Sequence, residues 1–288
     1  QQNQTFIKNT ETIIAKNVSH NNNNESLMES GDKKYSLKDY KGAITDYSEI
    51  LLNNPNDFNA LFQRALSKSY LNDHEGAIQD YTKAIQINSK NAKAFYNRGL
   101  SKDKLKDSYG AISDFNKAIE IDDQNKKAFI SRGYAKSDIG DHEGAIKDLT
   151  SAIEIDPEDG FAYSARGYIK ERAGDYYAAI SDYSKAIKID PEDDYSFSGR
   201  AYSKGQIGDN NGAINDFTKA IQINSNDGFA FLWRGVYNNL AGNYSQACQD
   251  WIKASDLGYK SANKKANVCS NAKNVKESIK SLLSSQNF

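Results

Sequence analysis

Three histidines, two cysteines and 38 acidic side chains are the groups in this 288-residue chain that could carry acid–base, nucleophilic or metal chemistry. Such chemistry needs several of them to converge, with a base beside a nucleophile or three ligands around one ion. His20 lies in an Asn-rich stretch. His74 and His142 occupy one register of a pattern that returns along the chain, and neither has a third ligand close in sequence. They read as turn residues, so no metal is expected. No glycine-rich phosphate loop, Gly-x-Ser-x-Gly elbow or His-Glu-x-x-His stretch occurs. Two cysteines are too few for a disulfide scaffold or a four-cysteine zinc site. These residues give no catalytic reading: the chain is expected not to be an enzyme, with no cofactor and no small-molecule substrate.

The elements that hold these groups are soluble in character. Apolar residues make up 38% and aromatics 11%, too rich for a disordered chain. No run approaches the ~18 uninterrupted apolar residues of a membrane helix, so the chain is not expected to be an integral membrane protein. A formal charge of −1 gives no reason to expect a polyanion. The chain starts at Gln1, which a removed export signal and simple trimming explain equally well.

A 34-residue repeat decides the architecture. Arginine recurs at Arg64, Arg98, Arg132, Arg166, Arg200 and Arg234. Gly-Ala-Ile recurs from Gly42, Gly76, Gly110, Gly144 and Gly212, and Asp46, Asp80, Asp114, Asp148, Asp182, Asp216 and Asp250 form a third column. Seven units follow: 24–57, 58–91, 92–125, 126–159, 160–193, 194–227 and 228–261. Apolar spacing makes each unit two helices, as in Ala111, Ile112, Phe115, Ala118 and Ile119. Asp or Asn stands before each expected helix, where its side chain can take an orphan amide; Asp57 and Asp73 are examples. Gly140, Gly174, Gly208 and Gly242 fall where a first helix must end in a left-handed residue.

These residues resemble the tetratricopeptide repeat, a 34-residue helix–turn–helix. Counting from Ala92, the family's small residues at eight, twenty and twenty-seven are Gly99, Ala111 and Ala118, and its aromatic at twenty-four is Phe115. Its proline at thirty-two appears as Pro55, Pro157 and Pro191. Where the family carries Tyr at eleven, this chain carries Lys34, Lys68, Lys102, Lys136, Lys170, Lys204 and Asn238, a departure. The resemblance implies an all-α, right-handed α-solenoid of seven units with a C-terminal capping helix.

Residues 1–23 form a Gln/Asn-rich arm, expected to be mobile, in which Phe6, Ile7, Ile13, Ile14 and Val18 suit one short helix. In 262–288, Ala262–Cys269 reads as a solvating helix, and Val275, Ile279, Leu282 and Leu283 as a second amphipathic helix or a fraying tail. Net charge is +1 in 1–23, −6 in 24–261 and +4 in 262–288. An ending of the form Cys248-Gln-Asp-Trp-Ile-Lys-Ala254, then Leu257-Gly258 and a later cysteine, is a frequent terminator in the family's bacterial members. In an oxidising compartment Cys248 and Cys269 would close a disulfide worth about 2–4 kcal/mol; in the cytosol they would be small buried fillers. The start and the cysteine pair together lean toward an exported or periplasmic protein, with the cytoplasm as the alternative.

The Arg and Asp columns admit two readings, a basic stripe for phosphate or a ladder of ion pairs in which Arg98 meets Asp80 or Asp114. The ladder is preferred, because opposite charges in step neutralise each other. As exposed pairs they would be worth only ~0–1 kcal/mol each.

In the family, first helices line a concave surface where partner segments lie. Positions two, five, nine, twelve and thirteen are transferred to it. Position two then supplies Lys93, Lys127, Phe161, Tyr195 and Phe229, and position five supplies Phe62 and Tyr96. Position nine supplies Tyr134, Tyr168 and Tyr202, with Asn97 and Arg172 as polar neighbours beside Lys104, Asp138 and Glu171. Aromatic groups with a polar handle suit recognition. The alternative for position nine is packing against the next helix. The family's chaperone-tail clamp maps onto Phe62, Leu66, Asn97, Lys127 and Ser131, of which only two match, so that ligand is disfavoured. The expectation is a non-catalytic scaffold that binds a peptide or protein segment in the groove. A structural spacer or envelope scaffold working through its edges or termini is the alternative. Nucleic acid is disfavoured by the −6 charge of the repeats.

Overall fold

The structure is a computed structural model, and it describes residues 23–271. Among these residues the fold is helical, without strands. The expected short helix within 1–22 and the second tail helix near Val275–Leu283 lie outside the described residues. The chain divides between Ile139 and Gly140 into two compact units, a boundary that falls inside the fourth repeat, in the turn between its two helices.

The first unit holds α1 (23–36), α2 (Tyr40–Asn53), α3 (Phe58–Tyr70), α4 (His74–Ile87), α5 (Ala92–Lys104), α6 (Ser108–Ile121) and α7 (Lys126–Asp138). The second holds α8 (His142–Ile155), α9 (Gly160–Arg172), α10 (Tyr176–Ile189), α11 (Asp194–Gln206), α12 (Asn210–Ile223), α13 (Gly228–Leu240) and α14 (Tyr244–Asp256). A 3₁₀ turn (Lys260–Ala262) and α15 (Asn263–Asn271) close it. First helices therefore start at 58, 92, 126, 160, 194 and 228, in step with the sequence repeat.

Local chemistry explains these boundaries. Asp73 accepts from the Gly76 amide at 2.9 Å and Asp57 from the Ala60 amide at 3.0 Å, and the same cap recurs through both units. Asn243 is an exception: it makes no cap bond, and its Nδ2 donates to Asn238 instead. The turn after a first helix requires a left-handed residue. Gly208 supplies it at φ +88°, whereas Lys106 adopts φ +65° in the third repeat without help from glycine.

Packing runs from each helix to the next inside a unit, as in a tetratricopeptide solenoid. The core is one column of small residues and one of large ones. Ala77, Ala111, Ala179 and Ala213 are fully buried and let the helices approach. Tyr81, Phe115, Tyr183, Phe217 and Trp251 fill the space between. Alternate helices also touch: α3 with α5 and α5 with α7 in the first unit, α9 with α11 and α11 with α13 in the second. First helices thus share a face within each unit, which is the surface that matters for binding.

The charged columns are interior. Arg98 pairs with Asp114, not with Asp80: Nη2 lies 2.6 Å from Oδ1 and Nε 2.9 Å from Oδ2. The third nitrogen, Nη1, reaches back to Thr82 on the preceding repeat at 3.0 Å. The lysine column finds its reason here, because Lys102 meets the same Asp114 at 2.8 Å. The pattern returns as Arg64 and Lys68 on Asp80, Arg166 and Lys170 on Asp182, and Arg200 and Lys204 on Asp216. In the last repeat Asn238 replaces lysine and donates to Asp250 at 3.2 Å. These aspartates are buried, so the pairs are not the exposed ones that the sequence suggested. Removing one partner would strand a charge inside the fold.

Cys248 and Cys269 are bridged, with Cα atoms 5.4 Å apart. The bridge fastens α15 to α14, and Ala262, Ala266 and Cys269 turn inward. The helix expected to be a solvating cover therefore also buries one face.

Candidate functional site

In the first unit the shared face belongs to α3, α5 and α7, and the expected groove residues sit there in different states. Lys93 and Lys127 are exposed, while Asn97 is half-buried and its amide bonds back to the Lys93 carbonyl at 2.8 Å. Phe62 leans on Phe58 and Tyr81, with ring centroids at 5.9 and 5.7 Å. Tyr96 packs 5.9 Å from Phe115. Both rings belong as much to the core as to the surface. Tyr134 is half-buried on α7. A small cavity of about 220 Å³ lies beside Leu66, Ser69, Tyr70, His74 and Asn97.

In the second unit the corresponding face belongs to α9, α11 and α13. Phe161 and Tyr195 project into solvent, 59% and 51% exposed. Tyr168 lies half-buried, 6.2 Å from Tyr195, and exposed Arg172 on its own helix covers it with the guanidinium carbon 5.8 Å from the ring centre. Tyr202 meets Trp233 edge-on at 4.9 Å. Phe229 differs from its position-two counterparts. It is half-buried, because Trp233 and Tyr259 close on it at 6.2 and 6.5 Å. The residue at position two therefore loses exposure where the end of the last repeat, at Tyr259, folds over it.

Beside Tyr168, Tyr195 and Phe229 runs a cavity of about 600 Å³, which Phe161 and Tyr202 do not line. Tyr168, Tyr195, Phe229 and Tyr259 form its aromatic walls, and Glu171, Asp194 and Asp227 its carboxylates. Glu171 accepts from the Tyr183 hydroxyl and the Ser203 hydroxyl, each at 3.2 Å. Burial pushes its carboxyl up to about 7, against the pull of those two hydrogen bonds. Asp194 accepts from Asn224 at 2.8 Å, and Asp227 caps α13 at the Ala230 amide and accepts from Ser198 at 3.1 Å.

Sequence reasoning counted Glu171 only as a polar neighbour, took Asp227 only as a helix cap, and passed over Tyr259 and Asp194. A signal for the first was present: the column through Ser69, Ser137, Glu171 and Gly205 is otherwise mostly short or neutral, so a long acid stands out. Tyr259 had none, since it lies at the edge of the periodic pattern. Among the described residues no cluster of three or more His, Cys, Asp or Glu could hold a metal, and no helix is long and apolar enough to cross a membrane.

Comparisons with known proteins agree on the architecture. A family model described as TPR repeat matches residues 70–105, and one described as tetratricopeptide repeat matches 92–125, 127–159 and 162–193. No curated protein matches. A tetratricopeptide repeat protein from Parabacteroides merdae ATCC 43184 is similar with a TM-score of 0.69 at 19% identity, covering 87% of this chain and all of that one. The MamA protein is similar at 25% identity and a TM-score of 0.56, over 59% of this chain and 93% of its own. YrrB, described as a TPR protein with an unusual peptide-binding site, gives 0.54 at 22% identity, over 64% and 95%.

Proposed function

Since the chain is a tetratricopeptide-repeat protein, we propose that it is a non-catalytic scaffold which holds a peptide or protein segment against the first helices of its second unit. The observation that carries this reading is the group of rings Tyr168, Tyr195, Phe229 and Tyr259 around the 600 Å³ cavity, together with Phe161 on α9 of the same unit; Phe161 and Tyr195 stand in water although a folded chain gains by burying them. Large rings with little conformational freedom are the side chains that dominate recognition energies. A cavity that already exists adds little ordering cost on binding. The similarity to YrrB supports the same class of role at the level of fold. The reading extends to an oxidising compartment, supported by the Cys248–Cys269 bridge.

The test is a paired capture from an extract of the native organism, with wild type and the variant Phe161→Ala/Tyr168→Ala/Tyr202→Ala as baits. Tyr202 also packs on Trp233, so the variant is first checked by circular dichroism. A partner kept by wild type and lost by the folded variant supports the groove. Identical captures would move the function to the edges or termini.

A further inference from the structure

The charge inside the second unit's cavity says more about what it takes. Its lining contains Glu171, Asp194 and Asp227 and no lysine, arginine or histidine. All three carboxylates are held by neutral donors: hydroxyls on Glu171, an amide on Asp194, and a hydroxyl with a backbone amide on Asp227. Contrast the interior aspartates such as Asp182 and Asp216, each clamped between an arginine and a lysine. The cavity thus has aromatic walls and, among its lining residues, no cation to pair with Glu171.

Resting on the groove reading above, we propose that this cavity receives a lysine or arginine side chain of the partner peptide. The aliphatic stem would lie along Tyr168, Tyr195 and Phe229 while the cationic head approaches Glu171. A cation over an aromatic face gains from the ring quadrupole, and the gain grows as water is removed. The carboxylate adds a charge-assisted hydrogen bond. An acidic side chain would meet Asp194 and Asp227 as like charges, and Glu171 whenever it ionises, whereas an apolar one would cover Glu171 without replacing the water it loses. Burial raises the Glu171 carboxyl, which is the state of a buried acid that lacks a counter-charge.

The experiment titrates the full chain, labelled with ¹⁵N, with four acetylated and amidated peptides Gly-Ser-X-Ser-Gly in which X is lysine, arginine, norleucine or glutamate. The backbone amides of Gly199 and Gly228, which border the cavity, are followed. Saturable shifts with lysine or arginine, about five- to tenfold weaker with norleucine and absent with glutamate, are expected. Glu171→Gln, nearly the same in shape, should weaken the cationic peptide about fivefold and leave the norleucine peptide unchanged. Norleucine binding as tightly as both cations, or no effect of Glu171→Gln in a folded variant, would overturn the assignment. If the triple alanine variant loses its partner while Gly199 and Gly228 show no cation preference, the groove reading stands and this one falls.

Discussion

Arg200 and Asp216 face each other side-on inside the second unit, with Nε 2.8 Å from Oδ2 and Nη2 2.8 Å from Oδ1. The same guanidinium sends Nη1 to Ser184 on the previous repeat at 3.1 Å and lies 5.5 Å from the Phe197 ring centre. One side chain thus ties two second helices together across a first helix. Arg200→Leu leaves Asp216 with Lys204 alone and should cost about 2–4 kcal/mol, read as a lowered denaturation midpoint. Arg200→Leu/Asp216→Leu should recover part of that loss, since no buried charge remains. A cost below about 0.5 kcal/mol for the single change would mean that the pair behaves as a surface pair.

Glu171 gives the fold a pH dependence with a definite sign. Its carboxyl is raised from 4.5 to about 7 by burial, so the folded state prefers the proton. The stability it contributes is complete below about pH 4.5 and is lost as pH rises through about 7. Tyr183 donates to it, and Tyr202 and Tyr237 couple to it; burial pushes the Tyr202 and Tyr237 phenols up, away from that window. Glu171→Gln should therefore match wild type near pH 5 and exceed it by about 1–3 kcal/mol near pH 8. Thermal unfolding at the two pH values checks this.

Reducing the Cys248–Cys269 bridge opens a loop of 21 residues. The expected loss is about 3 kcal/mol, confined to the end of the second unit. Hydrogen exchange with and without reductant should show protection falling in α14 and α15 first, with α3 to α6 unaffected.

Gly208 and Lys106 fill the same turn in different repeats at φ +88° and +65°. Gly208→Ala should destabilise by about 1 kcal/mol, because a Cβ opposes that backbone. Lys106→Gly should be neutral or stabilising by up to about 1 kcal/mol. Denaturant midpoints of both variants separate backbone strain from any role of the lysine charge.

Periodicity made the helices legible, because Ala111, Phe115 and Ala118 repeat at a helical spacing and Asp or Asn announces each start. The ladder was half legible. Opposite charges in step implied pairing, yet the partner of Arg98 and the reason for Lys102 need the angle between two helices, which spacing alone does not supply. Burial of Asp114 was hidden for the same reason. The groove was legible only as a face. That Phe161 stands in water while Phe229 is enclosed depends on Trp233 and on Tyr259, which folds back from the end of the last repeat at the edge of the 34-residue pattern.

The side-chain bonds within and between neighbouring repeats span short stretches of chain. Arg98 reaches 16 residues back and 16 forward, Lys68 12 forward, and Ser164 meets Ser196 at 32. A repeat emerging from the ribosome would find its partners within about one further repeat, without waiting for the far end of the chain. Synthesis order and assembly order can then coincide, and the last act is the closure of Cys248 onto Cys269. A nascent chain halted at any repeat would expose one unfinished layer rather than a whole unformed core.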